Sequence, residues 1–248
     1  MNNTQIGGMT GSGDQRVKEI EMNLLPDPSV YPQLRLVLPG RRWHLATELR
    51  IIKDVANNME NDFLERSIVF NNEAQEKLRK TPGYSREELE EILDEEYFVI
   101  SESMPIIVRQ SLFISIYSLL ETYMNDVCDM LKENQKIAIS VGDLSGNGIF
   151  RAQCYLQKVL NVDFPASHKT WQKISNYNRI RNCLVHSSGQ VTDDTNKQLL
   201  RFIKNNPLID LNPIHRIHLQ EGFVDEVCDS IESFVNDLTD RMLRRFGP

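Results

Sequence analysis

The chain has 248 residues, 40% hydrophobic and 25% charged, which is typical of a globular protein with one or two domains. Lys and Arg number 28 against 35 Asp and Glu, so the net charge of −7 argues against a protein whose whole surface binds nucleic acid. The most apolar run, from Pro105 to Leu120, is short and interrupted by Arg109, so we expect no membrane span.

The cysteines indicate buried free thiols. They are widely spaced, lie in apolar helical patterns and form no C-x-x-C motif. The four are Cys128, Cys154, Cys183 and Cys228. A disulfide framework is not expected in a chain with a core of this size. Since no signal peptide is recognisable either, we expect a cytoplasmic protein.

The first 40 residues predict a flexible or extended N-terminal arm. Residues 1–15 are rich in Gly, Asn, Ser and Thr and have little to bury. Four prolines between residues 22 and 40 disfavour a helix. Three leucines alternate there as in a short strand: Leu34, Leu36 and Leu38. We therefore expect an irregular arm over residues 1–40 and a single helical domain over residues 41–248.

The rest of the chain shows apolar residues at the three- and four-residue spacing of α-helices. These stripes cover residues 45–63, 89–98, 112–131, 171–184 and 223–242. A further helix is expected over residues 149–160, and weak alternation over residues 209–219 predicts either a small hairpin or an irregular crossing. The pattern predicts an all-α, up-and-down helical bundle with no sizeable sheet.

The predicted helix within residues 167–189 has a polar face separate from its apolar stripe. Asn178, Asn182 and His186 are each four residues apart, so each lies about 40° from the next on the helix. If the stripe is buried in the core, Asn182 and His186 remain available to a ligand or a partner. Arg181 lies between the two faces, and its long side chain can reach either.

The segment around this helix carries a net positive charge, although the chain as a whole is negative. Residues 151–186 hold six basic residues and one acidic residue, a net +5, which leaves −12 for the remainder. Lys173, Asn178 and Arg179 are therefore accessory candidates for contact with RNA. Glu121, the one charge in the densest apolar part of its helix, has two interpretations. It faces solvent, or it orients Arg181 or His186.

The segment Arg181-Asn182-Cys183-Leu184-Val185-His186 reads R-N-x-x-x-H and resembles the signature of the HEPN superfamily. The order of the surrounding segments is also similar to several bacterial HEPN families. It runs from an apolar helix with SLFISIYSLLETYMNDVC through DLSGNGIFRAQCYLQKVL and W-x-x-I to the motif and Ser-Gly. The resemblance covers residues 98–246, which would form the HEPN-like core.

The resemblance implies an all-helical, metal-independent endoribonuclease, of a toxin or antiviral-defence type, with a composite site in a homodimer. Arg181, Asn182 and His186 would be its catalytic residues. Their chemistry agrees, because an imidazole near neutrality transfers protons and a guanidinium suits phosphate oxygens. One helix supplies a single His, whereas acid and base must lie on opposite sides of the phosphate. A twofold dimer provides both.

Other interpretations remain open. The chain would alternatively be a non-catalytic HEPN module for binding or scaffolding, paired with a nucleotidyltransferase antitoxin protein. A separate interpretation gives Arg181 and His186 only structural roles, with Arg181 bonded to a helix C-terminus or a carboxylate and His186 as a polar cap. His215 and His218 are three residues apart, but without a nearby Cys or a carboxylate at ligand spacing no metal site is predicted. No Walker or Rossmann pattern is present, and no cofactor is expected.

Overall fold

The computed structural model of the protein describes residues 31–80, 86–192 and 197–246. Its helices are α1 (Tyr31–Lys80), α2 (Arg86–Phe98), α3 (Met104–Asn134), α4 (Gly148–Lys158), α5 (Lys169–Ser187), α6 (Lys197–Lys204) and α7 (Phe223–Phe246). A π-helical turn, Val99–Ser103, joins α2 to α3, and a 3₁₀ turn, Val141–Asp143, precedes α4. Strands β1 (Ile209–Leu211) and β2 (Ile217–Leu219) pair antiparallel, with Ile209 opposite Leu219. The prediction of an all-α fold with no sizeable sheet is confirmed for these residues.

Helix α1 begins at Tyr31, ten residues before the predicted start of the helical domain. Leu34 and Leu38 are 2% and 0% exposed and continue the buried stripe of the helix. The expectation of an irregular arm is therefore wrong for residues 31–40, and residues 1–30 lie outside the described ranges. Pro39 inside the helix costs about 3 kcal/mol. Burial of the two leucines, at about 1.5–3 kcal/mol each, offsets that cost.

Helix α3 lies at the centre of the fold, where it contacts α1, α4, α5 and α7. Its buried residues occupy a broad face rather than one line, because neighbours on several sides enclose it. They are Pro105, Phe113, Ile116, Tyr117, Leu120, Tyr123, Met124, Val127, Cys128 and Leu131. Two residues of the predicted stripe, Leu112 and Leu119, are only partly buried.

The described residues contain one helical stretch, Leu93–Asn134, that is long and apolar enough to cross a membrane. This criterion uses length and composition alone, and core helices of water-soluble proteins also meet it. Only 28% of its most apolar window is buried. Several apolar residues around the junction of α2 and α3 are also exposed, among them Phe98, Val99, Met104 and Ile107.

One ion pair fastens α3 to α1 and to the hairpin. Nε and Nη2 of Arg109 each donate to a carboxylate oxygen of Glu60, both at 2.6 Å. Nη1 of Arg109 donates to the carbonyl oxygen of Leu219 at 3.1 Å. The two side chains are only 12% and 18% exposed, so little water competes for these bonds. The pair thus fixes the register of three elements at one end of the bundle.

We predict that Glu60→Ala destabilises the protein by about 3 kcal/mol, because it leaves a largely buried guanidinium without its partner. Urea denaturation monitored by circular dichroism measures the change. Glu65→Ala on the exposed face of α1 is the matched control and shifts the free energy of unfolding by less than about 0.5 kcal/mol. Equal effects of the two substitutions would contradict this role of the ion pair.

Candidate functional site

Helix α5 buries its apolar stripe as predicted. Trp171, Ile174, Tyr177, Ile180 and Leu184 are all between 0% and 8% exposed. They pack against α3 and α7, where aromatic rings of the three helices meet edge to face. Tyr177 lies 6.2 Å from Phe113 and 5.8 Å from Phe223 between ring centroids. With the stripe buried, Asn182 and His186 are exposed on the opposite side of the helix.

Glu226 of α7 contacts three donor groups, and two of them, on Tyr177 and Lys173, belong to α5. Its Oε1 accepts from the Tyr177 hydroxyl at 2.8 Å and from the Asn206 amide at 3.0 Å, and it lies 3.2 Å from Nζ of Lys173. Burial raises the pKa of Tyr177, so its hydroxyl stays protonated and remains a donor. Lys173 is therefore paired to α7 and is not part of the Asn182 and His186 surface.

A chain of hydrogen bonds connects the motif to the core. Nη1 of Arg181 donates to Oδ1 of Asn182 at 3.1 Å, and Nδ2 of Asn182 donates to Oδ1 of Asn178 at 3.0 Å. Nδ2 of Asn178 then donates to the hydroxyl oxygen of Tyr117 on α3. Tyr117 is 1% exposed, and burial raises its pKa, so the hydroxyl is neutral at physiological pH. The buried Tyr117 hydroxyl thereby fixes the orientation of both amides and, through them, of the guanidinium.

Glu121 and Arg181 are both close enough to affect the pKa of this tyrosine. The carboxylate of Glu121 raises the pKa of Tyr117 and the guanidinium of Arg181 lowers it, both more weakly than burial. Glu121 lies against Gly148, where an added Cβ would be only 3.1 Å from its Oε1. Among the described residues it makes no ion pair with Arg181 or His186. Glu121 thus borders the site, but neither of its two predicted partners contacts it.

Two further predicted residues differ in their placement. Arg179 turns away from the motif: its Nη1 donates to the carbonyl oxygen of Ser175 and to Oδ1 of Asn176, both at 3.1 Å. Its Nη2 donates to Oε1 of Gln198 on α6. Nε of Arg181 is buried and has no hydrogen-bond partner among the described residues. Asn178, Arg181 and Asn182 therefore form one bonded group, His186 follows one turn later, and the Arg179 guanidinium is bonded outside this group, towards α6.

The end of α5 is held against β2 by two residues with left-handed backbones. Ser188 has φ of 49° and Gly189 has φ of 76°. The Gly189 amide donates to the carbonyl oxygen of Cys183 at 3.0 Å, and its own carbonyl accepts from the Ile217 amide at 2.9 Å. The positive φ at Gly189 would strain any side chain, and an added Cβ would lie 3.3 Å from Cδ2 of Leu184, so glycine is favoured here. This contact fixes the turn that carries His186.

Sequence reasoning missed Tyr117. It lies within the apolar stretch of α3, and its position four residues before Glu121 was the only signal that it shares that face. The described residues contain no group of three or more His, Cys, Asp or Glu side chains placed to hold a metal ion. The four cysteines are free thiols; Cys128 and Cys228 are buried, while Cys154 and Cys183 are half-buried.

Comparison with known proteins assigns neither a family nor a function to the chain. No family model matches the chain, and searches of curated proteins and of solved structures found no match. The likeness to HEPN domains therefore rests on the R-N-x-x-x-H segment and its helical context alone.

We predict that Tyr117 and Asn178 are energetically coupled. Asn178→Ala leaves the buried tyrosine hydroxyl without its donor and costs about 1–3 kcal/mol. Tyr117→Phe costs about 1 kcal/mol, and the double variant is less destabilised than the sum of the two by about 1 kcal/mol. Asn58→Ala, the same chemical change at an exposed position of α1, is the control and stays within about 0.5 kcal/mol. Additive effects in urea denaturation would show that the bond contributes nothing.

Proposed function

We propose that this protein is a metal-independent endoribonuclease of the HEPN type that cleaves single-stranded or loop RNA. The observation that carries the proposal is the exposed pair Asn182 and His186, next to an arginine whose orientation is set by hydrogen bonds reaching the buried Tyr117. A guanidinium, an amide and an imidazole at one helix end match the needs of phosphodiester cleavage. Unpaired nucleotides can align the 2′-OH for in-line attack, whereas paired ones cannot.

The proposed reaction is a transesterification within the RNA. The 2′-oxygen attacks the adjacent phosphorus while a neutral imidazole takes the 2′-OH proton. The bond between phosphorus and the 5′-oxygen breaks, and an imidazolium gives that oxygen a proton. The products are a 2′,3′-cyclic phosphate and a 5′-OH. Arg181 binds the equatorial phosphate oxygens, where charge increases in the transition state. Asn182 positions the RNA backbone or the groups of the second protomer.

A homodimer completes the proposed site. Each α5 carries one His186, and the general acid and the general base must stand on opposite sides of the reacting phosphate. A twofold axis near Asn182 and His186 brings two such helices together. Val185, an apolar side chain that is 46% exposed beside Asn182, fits the centre of that contact. Each protomer would then supply Arg181 and His186 to a shared cleft.

The surrounding residues receive narrower roles in this proposal. Asn178 and Tyr117 orient Asn182 rather than touch RNA, and Glu121 borders the cleft beside Tyr117. Lys173 holds α5 on α7 through Glu226. We further propose a cytoplasmic, non-membrane toxin or phage-defence protein, whose activity an antitoxin protein would restrain. A chain that binds RNA without cutting it would instead be the HEPN binding module.

The decisive experiment incubates the purified protein with a labelled single-stranded RNA in EDTA. We expect cleavage to 2′,3′-cyclic phosphate and 5′-OH ends, and DNA of the same sequence should survive because it lacks the 2′-OH. His186→Ala should lower the rate by about 10²–10⁴-fold, the usual contribution of one general acid–base group. Arg181→Lys should lower it by about 10²-fold or more, because an ammonium does not reproduce the bidentate fork.

His44→Ala removes a 64%-exposed histidine of α1 and is the matched control, with an unchanged rate. Cleavage that depends on Mg²⁺, or that persists in His186→Ala, would refute the mechanism. RNA binding with no cleavage by the wild type would favour the binding module.

The proposed homodimer leads to a separate prediction. Val185→Asp places a charge at the proposed contact between the two α5 helices, so the protein should become monomeric at micromolar concentration and lose cleavage. Val55→Asp on α1, where valine is 41% exposed, should leave both unchanged. Light scattering after size-exclusion chromatography measures the mass. A wild-type monomer that cleaves RNA would overturn the composite site.

A further inference from the structure

A groove of about 540 Å³ lies between α5 and α6, N-terminal to the motif along α5. From α5 it is lined by Gln172, Asn176 and Arg179, and from α6 and the residue after it by Arg201, Phe202 and Asn205. Its described lining contains no Asp or Glu, in a chain where acids outnumber bases by seven. The groove thus combines positive charge, amide groups and an aromatic ring.

Helix α6 makes the charge around this groove strongly positive. Its eight residues, KQLLRFIK, include three bases and no acid. Lys197, Arg201 and Lys204 follow one another at four and three residues, so they form one exposed stripe. Leu199 and Ile203 are buried at 4% and 6% exposure on the opposite side, which fixes the orientation of the helix. The cations therefore point to solvent because the apolar side of α6 is committed to the core.

The two arginines of the groove differ in their hydrogen bonding. Arg179 is held by three acceptors, the Ser175 carbonyl, Asn176 and Gln198, so its planar guanidinium is fixed at the edge of the groove. The Arg201 side chain makes no hydrogen bond or ion pair with a described residue and is exposed. An arginine held in place by neutral acceptors keeps its charge available to an anion, because no carboxylate neutralises it.

The position of the groove relates it to the motif. Arg179 lies three residues before Asn182 and seven before His186, so its Cα is about 10 Å from that of His186 along the helix axis. Residues seven apart lie within about 20° of one another, and Arg179 is thus in line with His186. A strand that crosses the groove at Arg179 continues directly to the exposed end of α5.

We propose that this groove binds a single-stranded RNA segment that flanks the cleaved phosphate. Arg179 and Arg201 contact successive phosphates, and a base enters the groove against Phe202, where the amide of Asn205 reaches its edge. The groove thereby positions the strand and contributes to the choice of cleavage site. This inference rests on the proposed nuclease function, but binding is measurable without cleavage.

The test uses a fluorescent 12-nucleotide RNA of mixed sequence with 2′-O-methyl groups, which has no 2′-OH nucleophile. Fluorescence anisotropy gives its Kd with the full chain at several salt concentrations. Arg201→Gln should weaken binding by roughly five- to tenfold and reduce the slope of log affinity against log salt by about 0.7, the effect of one phosphate contact on a single strand. Arg244→Gln, at an exposed arginine of α7, is the control and should bind as the wild type does.

Equal binding by Arg201→Gln and the wild type, or no binding by the wild type, would overturn the groove proposal. Equal weakening by Arg201→Gln and Arg244→Gln would also overturn it, since the effect would then be one of overall charge. Circular dichroism confirms that the variants are folded. If the protein binds the probe through Arg201 but never cuts RNA, the proposed nuclease function is refuted and the groove proposal stands. One that cuts RNA without dependence on Arg201 would refute the groove alone.

Discussion

The structure of the candidate site depends on the burial of one side of α5. Five large side chains, from Trp171 to Leu184, are removed from water against α3 and α7, at about 1.5–3 kcal/mol each. This burial sets the rotation of the helix, since turning it by one residue, about 100°, would expose the stripe and bury amides in its place. Asn182 and His186 face outward as a consequence. Glu226 and the backbone of Gly189 then hold the two ends of the helix in position.

The basic residues of an acidic chain divide here into two groups. Lys173 and Arg109 pair with the acids Glu226 and Glu60 and join helices to one another. Arg179 and Arg201 have neutral neighbours or exposed side chains and surround the groove between α5 and α6. Net charge alone therefore does not describe the surface of this protein. The cations of α6 lie on the exposed side of the helix because its apolar side is buried in the core.

Tyr117 connects the core of the bundle to its polar face. Its ring is buried with the other side chains of α3, while its hydroxyl accepts a hydrogen bond from Asn178. Because a buried hydroxyl without a partner is costly, the tyrosine and the asparagine constrain each other. Two further hydrogen bonds extend that constraint to the side chains of Asn182 and Arg181. Such an arrangement fixes the geometry of a polar site more firmly than surface residues do alone.

The sequence by itself determined the all-α class, the stripes of α5 and α7 and the exposure of Asn182 and His186, because helical periodicity specifies which residues share a face. It misjudged residues 31–40: Leu34 and Leu38 are four apart, so they satisfy both a strand and a helix pattern, and only contact with the rest of the core chose the helix. Tyr117, the Glu226 contacts and the groove of Arg179 and Arg201 were decided by tertiary structure. Each joins residues from different helices, and local spacing along one helix carries no information about its neighbour.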